Sequence, residues 1–442
     1  MFTRVLQIER ILVYVWGIVF PWQTIWIYHT GVINDVVSPY LTLGFYISEV
    51  ILWLLCIVSF FNFKSSVVIK PVDIRAKLKK IYWLCAFCAF PLYLFFHTWV
   101  SINFDVSVRH ALFLIEGYML LTAIIVSKVP IHDWVRAFLI GSIAPIALGL
   151  FQWFTQTSFS STVFGLSEHI AFNPGSSIVA SDTIGRWLRA YGSFPHPNIF
   201  GGYLVCVLTF TFLYSCLIVK VREKIGLVII HVCTAFTLFT TLSRSAIIAY
   251  IFVCMGFVLY AAKNKIRNIL LLIAGSIIIG LVCGVLYHDL LYTRTIPTSL
   301  SETRSLSERQ EGIEVAWKLH RNKPILGFGG GTFIEAWNRY DSTLPSYIYQ
   351  PVHISLFAVL VEYGLIGVLL FSISFALFVW FGTRSSGDTR MLFLISGVLP
   401  FTFISFFDHY FVTVYPGIIL FFAYLSVFFR FSTSTPQYVH KM

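Results

Sequence analysis

Residues 189–204 read RAYGSFPHPNIFGGYL, a polar, proline-containing stretch that leads directly into an apolar run. Pro195 and Pro197 stiffen this entry, and a proline suits the first turn of a helix, where its missing N–H is not needed. The run that follows is about 20 residues long, which is the length of a membrane-spanning helix. The stretch therefore predicts a spanning helix with a polar, rigid entrance.

Similar apolar runs recur along the whole chain, which has 442 residues, 57% of them hydrophobic and 12% charged. A soluble domain has about 25% charged residues, so too few polar groups are present to cover a water-facing globule. Runs of this length suit helices rather than the shorter alternating strands of a membrane barrel. We therefore predict an all-α integral membrane protein with about twelve transmembrane helices and one large extracytoplasmic helical loop. The predicted spans are 11–28, 41–61, 81–100, 108–127, 134–154, 198–219, 225–242, 244–262, 267–288, 352–381, 391–408 and 411–430.

The distribution of positive charge orients these spans, because lysine and arginine concentrate in cytoplasmic loops. With both termini cytoplasmic, most of the 31 lysines and arginines fall in inside segments. The net charge of +11 is thus explained by topology and does not predict nucleic-acid binding. A basic cluster at 62–80 is suited to contact with anionic membrane lipid.

Two connections are much longer than the others, at 155–197 and 289–351, and both are predicted to lie outside. Long loops in a compact protein commonly carry function. We accordingly divide the chain into an N-terminal five-helix membrane region, 1–154, and a catalytic membrane region, 155–442, that contains the loop 289–351.

The second loop has local structure of its own. SLSERQEGIEVAWKLH, from Ser305 to His320, has apolar residues at near-helical spacing and begins with a capping-box pattern, Ser305 and Glu308. Pro324 then ends the predicted helix. GFGGGTF, residues 327–333, follows; it lacks the GK[ST] of a phosphate-binding loop and predicts a tight turn or a close backbone approach.

Ionisable residues gather at the predicted outside face. Each alone has an ordinary explanation, because an interfacial arginine snorkels and a histidine or aspartate can cap a helix. Together they predict an anion site, since guanidinium groups pair with phosphate and a neutral histidine can take a proton from a hydroxyl. The residues at this face are Arg186, Arg189, His196, Asn198, Arg244, His353, Asp408 and His409.

No DxD motif occurs in the chain, so a metal–diphosphate site of that type is not predicted, and no cofactor is expected. Three glutamates, Glu49, Glu116 and Glu362, fall within predicted spans. Structural pairing with an arginine or a hydroxyl is the favoured interpretation for each of them.

Four stretches and a closing FDHY, in this order, resemble the O-antigen ligase and O-antigen polymerase superfamily of bacterial membrane glycosyltransferases. The four are RAYGSFPHPNIFGG, LSRSA, the segment from Arg309 through KPILGFGGGTF, and PVHISLFAVLVEYGLIG. The resemblance covers about residues 185–415, and the first five spans match only in hydropathy.

The resemblance implies metal-independent, inverting transfer of a glycan from undecaprenyl diphosphate at the outer face of the bacterial inner membrane. It implies that His353 activates the acceptor and that Arg189 and Arg244 bind the diphosphate, with Arg309 as the arginine of the loop helix. Arg186 joins the diphosphate-binding set, and the supporting residues are His196, Asn198, Asp408 and His409. Ile354 departs from the family pattern, which has asparagine after the histidine.

Several functions remain open at this stage. A ligase and a polymerase differ only in the acceptor, which is a lipid or glycan at the surface or a second lipid-linked repeat, and a third variant glycosylates protein. The presence of both LSRSA and PVH favours the ligase type. A lipid-linked glycan transporter or flippase and a non-catalytic assembly partner are the alternatives from other classes. The partners implied are the undecaprenyl-diphosphate glycan, an acceptor and membrane lipid, and no nucleic acid.

Overall fold

The computed structural model describes residues 2–64, 87–173, 175–181, 184–217, 220–295, 300–384 and 387–434. Residues 65–80 of the basic cluster predicted to contact lipid, and the start of the predicted span 81–100, lie outside these ranges. Helices dominate the described part of the chain.

The helices before the second long loop are mostly long and apolar. They are α1 Phe2–Val19, α2 Ile47–Lys64, α3 Phe87–Val100, α4 Phe104–Val126, α5 Ile131–Thr155, α6 Pro197–Ser215, α7 Val221–Thr240, α8 Arg244–Asn264 and α9 Arg267–Leu286. The loop and the C-terminal region form the remainder. They are α10 His288–Thr295, α11 Leu300–Asn322, α12 Phe333–Tyr340, α13 Ser355–Gly382, α14 Gly387–Leu392, α15 Leu399–Ser405, α16 Tyr410–Thr413 and α17 Tyr415–Ser434.

Within the described ranges, nine helices are long and apolar enough to cross a membrane, and α14 and α15 count as one of these through a π-helical link. The chain is therefore a multi-pass helical membrane protein, but the predicted count of twelve spans is not supported. The predicted spans 11–28, 41–61 and 81–100 are not among the nine.

The first predicted span is misplaced. Helix α1 ends at Val19, shortly before Pro21, and Ile25–His29 form a strand instead of a helical turn. Proline cannot continue a helix, and the β-branched and aromatic residues that follow favour an extended backbone. The apolar character of 11–28 thus reflects a helix followed by a strand.

Four small antiparallel sheets interrupt the all-α architecture that the sequence predicted. Two lie between α1 and α2, formed by β1 Ile25–His29 with β4 Leu43–Tyr46 and by β2 Val32–Ile33 with β3 Val36–Val37. Two lie between α5 and α6. They pair β5 Thr157–Ser158 with β6 His169–Ile170, and β7 Ile178–Ser181 with β8 Gly185–Leu188.

These sheets and the second long loop meet at one end of the bundle, which we call the loop end. The Thr24 hydroxyl donates to the carbonyl of Val163 at 2.6 Å, which joins the first sheets to the loop before α6. The Asn34 amide donates to the carbonyl of Leu344 at 3.1 Å, which joins them to the second loop. The loop end is therefore one continuous layer over the helices.

The loop helix α11 is confirmed, but it begins at Leu300, five residues before the predicted start. Ser305 consequently lies inside the helix, and the capping box predicted for it is wrong. The helix ends at Asn322, just before Pro324, as expected.

The glycine-rich segment that follows α11 packs against a break in α13. Gly364 adopts φ 63° and ψ −170°, which interrupts the helix there. A side chain at Gly364 would meet the carbonyl oxygen of Ile325 at 2.2 Å, so the close approach requires glycine. Gly329 N–H donates to the carbonyl of Glu362 at 2.8 Å, and the predicted close backbone approach of GFGGGTF is confirmed.

The three glutamates within the predicted spans are all bonded to other groups. Arg109 forms a buried ion pair with Glu49, and the Trp53 indole donates to Glu116 at 2.8 Å. The backbone N–H groups of Gly331 and Phe333 hydrogen-bond the side chain of Glu362. The predicted pairing with an arginine or a hydroxyl is thus observed for Glu49, whereas Glu116 and Glu362 are bonded to an indole and to the backbone instead. The predicted division at 154 stays a prediction, although α17 packs on α4 and α1 on α5.

Candidate functional site

The loop end contains a group of ionisable and polar side chains from seven different elements or connections, which we call the polar cluster. Its members come from the ends of α6, α8 and α13, from α10 and α11, and from the links before α6 and α16. The polar cluster comprises Arg189, Asn198, Arg244, Ser245, Arg294, Arg309, His353, Asp408 and His409.

Arg189 is buried, and each of its three nitrogens donates to the protein. The Nε atom donates to the carbonyl of Thr241 at 2.7 Å, Nη1 to Ser177 Oγ at 2.9 Å, and Nη2 to Asn198 Oδ1 at 2.6 Å. Arg189 therefore joins the loop before α6 to α6 itself and to the α7–α8 turn, and it holds these elements in register.

Asn198 lies in the first turn of α6 because His196 and Pro197 start the helix there. The His196 Nδ1 atom accepts from the backbone N–H of Asn198 at 3.1 Å, which caps the helix. Asn198 then donates from Nδ2 to Asp408 Oδ1 at 2.7 Å. The rigid entrance of RAYGSFPHPNIFGGYL thus places one amide between Arg189 and Asp408.

Asp408 is buried, and both oxygens of its carboxyl group accept hydrogen bonds. Ser245 Oγ donates to Oδ2 at 2.7 Å, and Ser355 Oγ donates to the Asp408 carbonyl at 2.8 Å. Burial raises the pKa of Asp408, and the two side-chain hydrogen bonds oppose that shift. Asp408 consequently ties together the starts of α6, α8 and α13, and it positions the groups around it.

Two histidines lie side by side next to Asp408. The ring centroids of His353 and His409 are 5.7 Å apart, and His409 Nδ1 is 2.6 Å from Thr413 Oγ1. Burial, followed by the charge of Arg309, lowers the pKa of His353 to about 4. Burial, followed by His353, lowers the pKa of His409 to about 3. Both rings are therefore uncharged at neutral pH.

His353 Nδ1 and Arg309 Nε are both buried, and neither has a hydrogen-bond partner among the described residues. Buried polar atoms are nearly always bonded, so two such atoms at one place indicate a position for a polar ligand or water. The charge of Arg309 acts on both His353 and Asp408, which places its guanidinium within reach of the same space.

Arg244 and Arg294 support each other at the turn between α7 and α8. Arg244 Nη1 donates to the carbonyl of Arg294 at 3.0 Å, and Arg294 Nε donates to the carbonyl of Leu242 at 3.2 Å. Arg294 was not among the residues predicted from the sequence. Arginine is scarce in the predicted outside segments, and this scarcity singles out Arg244. The same signal applies to Arg294 and could have identified it.

Two of the predicted site residues are more exposed than the cluster. Arg186 lies exposed on β8, and its Nε donates to the carbonyl of Ala171 at 2.8 Å. His196 is also exposed, but the charges of Arg189 and Arg294 still act on it. The structure therefore brings Arg189, Arg244, Arg309, His353, Asp408 and His409 together, and leaves Arg186 at the surface.

A shallow cleft lies beside His353 on the side facing α11. Its lining includes Glu308 and Glu311 of α11 together with Trp337 and Tyr347. From the sequence, Glu308 was predicted only as a capping residue. Its spacing of three from Glu311 places both carboxylates on the same helix face, which was a usable signal.

The chain is thus a multi-pass membrane protein with a buried arginine–histidine cluster where several helices begin. Residues 229–372 match the family model for O-antigen ligase, which confirms the resemblance to that superfamily. No curated protein matches the chain significantly. The matched segment includes Arg244, Arg309 and His353, whereas Arg189, Asn198 and Asp408 lie outside it.

Proposed function

We propose that this chain is a metal-independent, inverting glycosyltransferase that moves a glycan from undecaprenyl diphosphate to a surface acceptor. The observation that carries the proposal is the polar cluster, in which four arginines and two uncharged histidines lie near the helix starts that one buried aspartate ties together. The family match supports the same class of activity. The polar cluster would face the periplasm or the exterior, with both termini in the cytoplasm.

In the proposed reaction, the acceptor hydroxyl attacks the anomeric carbon of the donor while the bond from that carbon to the diphosphate breaks. His353 takes the hydroxyl proton, and undecaprenyl diphosphate leaves with the bonding electrons. Preorganised positive groups aimed at the developing charge are usually the largest contribution to such a step. Arg244, Arg294 and Arg309 would stabilise the leaving diphosphate, while Arg189 and Asp408 hold them in position.

The arrangement gives different proposed roles to the arginines. Arg189 has all three nitrogens engaged with protein oxygens, so it is proposed to act mainly as a positioning residue. Arg309 has a buried Nε without a hydrogen-bond partner among the described residues, which suits a direct phosphate contact. Arg186 was predicted to bind the diphosphate, but because it lies exposed on β8 we propose that it contacts the glycan instead.

The test is glycan transfer by the purified chain from an undecaprenyl-diphosphate glycan to a set of lipid, glycan and protein acceptors, with a metal chelator present. Wild type is expected to transfer in the presence of chelator, and His353→Gln is expected to lose at least about a hundredfold, within the range of general-base catalysis. His288→Ala, an exposed histidine paired with Asp289, is the matched control.

The acceptor that receives the glycan distinguishes ligase from polymerase. Full transfer by His353→Gln would exclude His353 as the base. Failure of transfer to every acceptor, together with chain-dependent movement of the lipid-linked glycan across a vesicle membrane, would support the transporter alternative.

A further inference from the structure

A second cleft at the loop end lies next to the polar cluster and takes no part in the reaction described above. It has a cavity volume of about 80 Å³, opens to the surface, and is bounded by the segment from Pro39 to Tyr46, by α4, by the glycine-rich segment and by the start of α17. We call it the aromatic cleft. The lining residues used below are Tyr40, Tyr46, Arg109, Phe113, Thr413 and Tyr415.

One wall of the aromatic cleft is a packed set of aromatic rings. Tyr46 and Tyr415 stack at a centroid distance of 4.5 Å and an interplanar angle of 15°. Phe113 lies 5.2 Å from Tyr415. Such a wall is rigid before any ligand arrives, because the rings of Tyr46 and Tyr415 cover each other, and it gives the cleft an apolar side.

Polar groups lie at the base of the same cleft. The Arg109 guanidinium lies 4.2 Å over the Phe113 ring and forms its buried ion pair with Glu49. Its Nη1 atom is buried and has no hydrogen-bond partner among the described residues. Arg109 itself is 3% exposed, so this donor is held in place for a polar ligand atom rather than for bulk water.

The aromatic cleft leads to His353 through one intermediate side chain. Tyr40 lies 6.3 Å from His409 by ring centroids, and Thr413 contacts His409 Nδ1 at 2.6 Å. His409 in turn lies beside His353, and Pro351 lines both the aromatic cleft and the cleft at His353. A ligand in the aromatic cleft therefore has a short path to the predicted base.

The cleft approaches the histidines from a different side than the arginines of the polar cluster. Among the described residues its lining contains Arg109 but none of Arg189, Arg244, Arg294 and Arg309. An in-line displacement requires the nucleophile and the leaving group on opposite sides of the reacting carbon. A lining of aromatic rings with few charges suits a neutral sugar better than a diphosphate.

From this geometry we infer that the aromatic cleft is the acceptor subsite, and that it binds the terminal sugar of an acceptor glycan with its reactive hydroxyl directed towards His353. The direction of transfer in this inference rests on the proposed function, whereas binding of the glycan in the aromatic cleft does not depend on it. Tyr40 would stack on the sugar nearest the histidines, and Arg109 would hydrogen-bond a hydroxyl at the far end.

The test measures binding of glycan without donor. The full chain in lipid nanodiscs is applied to an array of printed bacterial surface glycans, and a glycan that binds is titrated in solution. Tyr40→Ala is expected to weaken binding about tenfold, the effect of losing a packed aromatic contact. Tyr40→Phe, which keeps the ring, is the matched control and should bind as wild type does.

A parallel titration with undecaprenyl diphosphate should give equal affinity for wild type and for Tyr40→Ala, which shows that the variant is folded. Absence of glycan binding by wild type, or equal binding by Tyr40→Ala, would overturn the inference. Glycan binding without any transfer would overturn the proposed function and leave the subsite standing. Transfer with an unchanged acceptor KM in Tyr40→Ala would overturn the subsite and leave the function standing.

Discussion

Two buried polar sites at opposite ends of the bundle differ in how completely their groups are bonded. At the end away from the loops, Glu9 of α1 accepts from Ser59 Oγ at 2.9 Å, from Ser127 Oγ at 2.6 Å and from Asn62 Nδ2 at 2.5 Å. Both oxygens of this carboxyl group are thus bonded, and the donors come from α2 and the end of α4. The site links three chain segments.

The polar cluster has a similarly bonded carboxyl group at Asp408, but it adds groups that are not satisfied. His353 Nδ1 and Arg309 Nε are buried without hydrogen-bond partners in the described part of the chain. Fully satisfied polar networks rigidify a fold, whereas unsatisfied buried atoms require another explanation. The comparison indicates that Glu9 has a structural role. It also indicates that the polar cluster is a ligand site, which the fully bonded Asp408 holds in place.

Removing an unsatisfied group should affect the reaction most. Arg309→Ala is expected to lower transfer about a hundredfold, since a hydrogen bond to a charged group contributes about 1.5–3 kcal/mol and each 1.4 kcal/mol is a factor of ten. Arg309→Lys should recover part of this, because lysine keeps the charge without the planar fork. The rate of transfer and the donor KM are the measurements.

Arg321→Ala is the control on the same helix, since Arg321 is exposed and packs on Trp317. Equal rates for Arg309→Ala and Arg321→Ala would remove the distinction between the two ends of the bundle.

Substitution at the satisfied site should affect stability instead. Glu9→Gln keeps the shape of the side chain but loses the charge that strengthens its three hydrogen bonds. The free energy of unfolding is expected to fall by about 2 kcal/mol. Transfer per folded molecule should be unchanged, as measured by a denaturation midpoint and by activity on the same sample. A lower turnover at full folding would contradict a purely structural role for Glu9.

The pH dependence of transfer tests the same difference between the polar cluster and the Glu9 site. Because the pKa of His353 is lowered to about 4 by burial and by Arg309, the ring is uncharged and able to accept a proton above that pH, and this ability is lost as the pH falls through about 4. Bound diphosphate offsets the charge of Arg309, so the acid limb of kcat should lie at higher pH than that of kcat/KM for the donor.

In Arg309→Ala both limbs should lie at higher pH than in wild type and closer together, because Arg309 no longer lowers the pKa of His353 in the free enzyme. Transfer measured from pH 3.5 to 8 at limiting and saturating donor would show this, within about one pH unit. Identical limbs in wild type would contradict a contact between the diphosphate and Arg309.

The smallest effect on transfer is expected for a residue that is not itself in the polar cluster but donates a hydrogen bond to one of its members. Ser355→Ala removes the donor to the Asp408 carbonyl, and a neutral bond of this kind contributes about 1 kcal/mol. Transfer should fall about fivefold, without a change in the donor KM, if Asp408 only positions its neighbours. A hundredfold loss would instead show that the start of α13 moves with this serine.

Hydropathy and charge predicted much of the fold, because span length and loop charge are set by the membrane itself. The region near residues 25–29 was misjudged, since a run such as Ile25–His29 is equally apolar in a strand and in a helix. The break at Gly364 was not predicted either. A glycine inside an apolar run signals a break only when a second segment, here Ile325, packs against it.

The sequence also predicted which residues share one face, because each lies at the end of a predicted span. It did not predict their bonding. That Arg189 is fully engaged while Arg309 Nε is not depends on contacts between segments about 50 or more residues apart, such as Arg189 with Thr241 and Asp408 with Ser245. Sequence spacing carries no information on such contacts.

The break at Gly364 also bears on how α13 fits the thickness of a bilayer. An unbroken helix of 28 residues would be about 42 Å long, well beyond the roughly 30 Å of a hydrocarbon core. The part after the break, 365–382, is about 27 Å long and matches that core without tilting or thinning the lipid. The shorter part, from Ser355 to Tyr363, buries most of its residues against the rest of the protein, and a helix that looks like one long hydrophobic anchor supplies both a membrane span and a mount for His353.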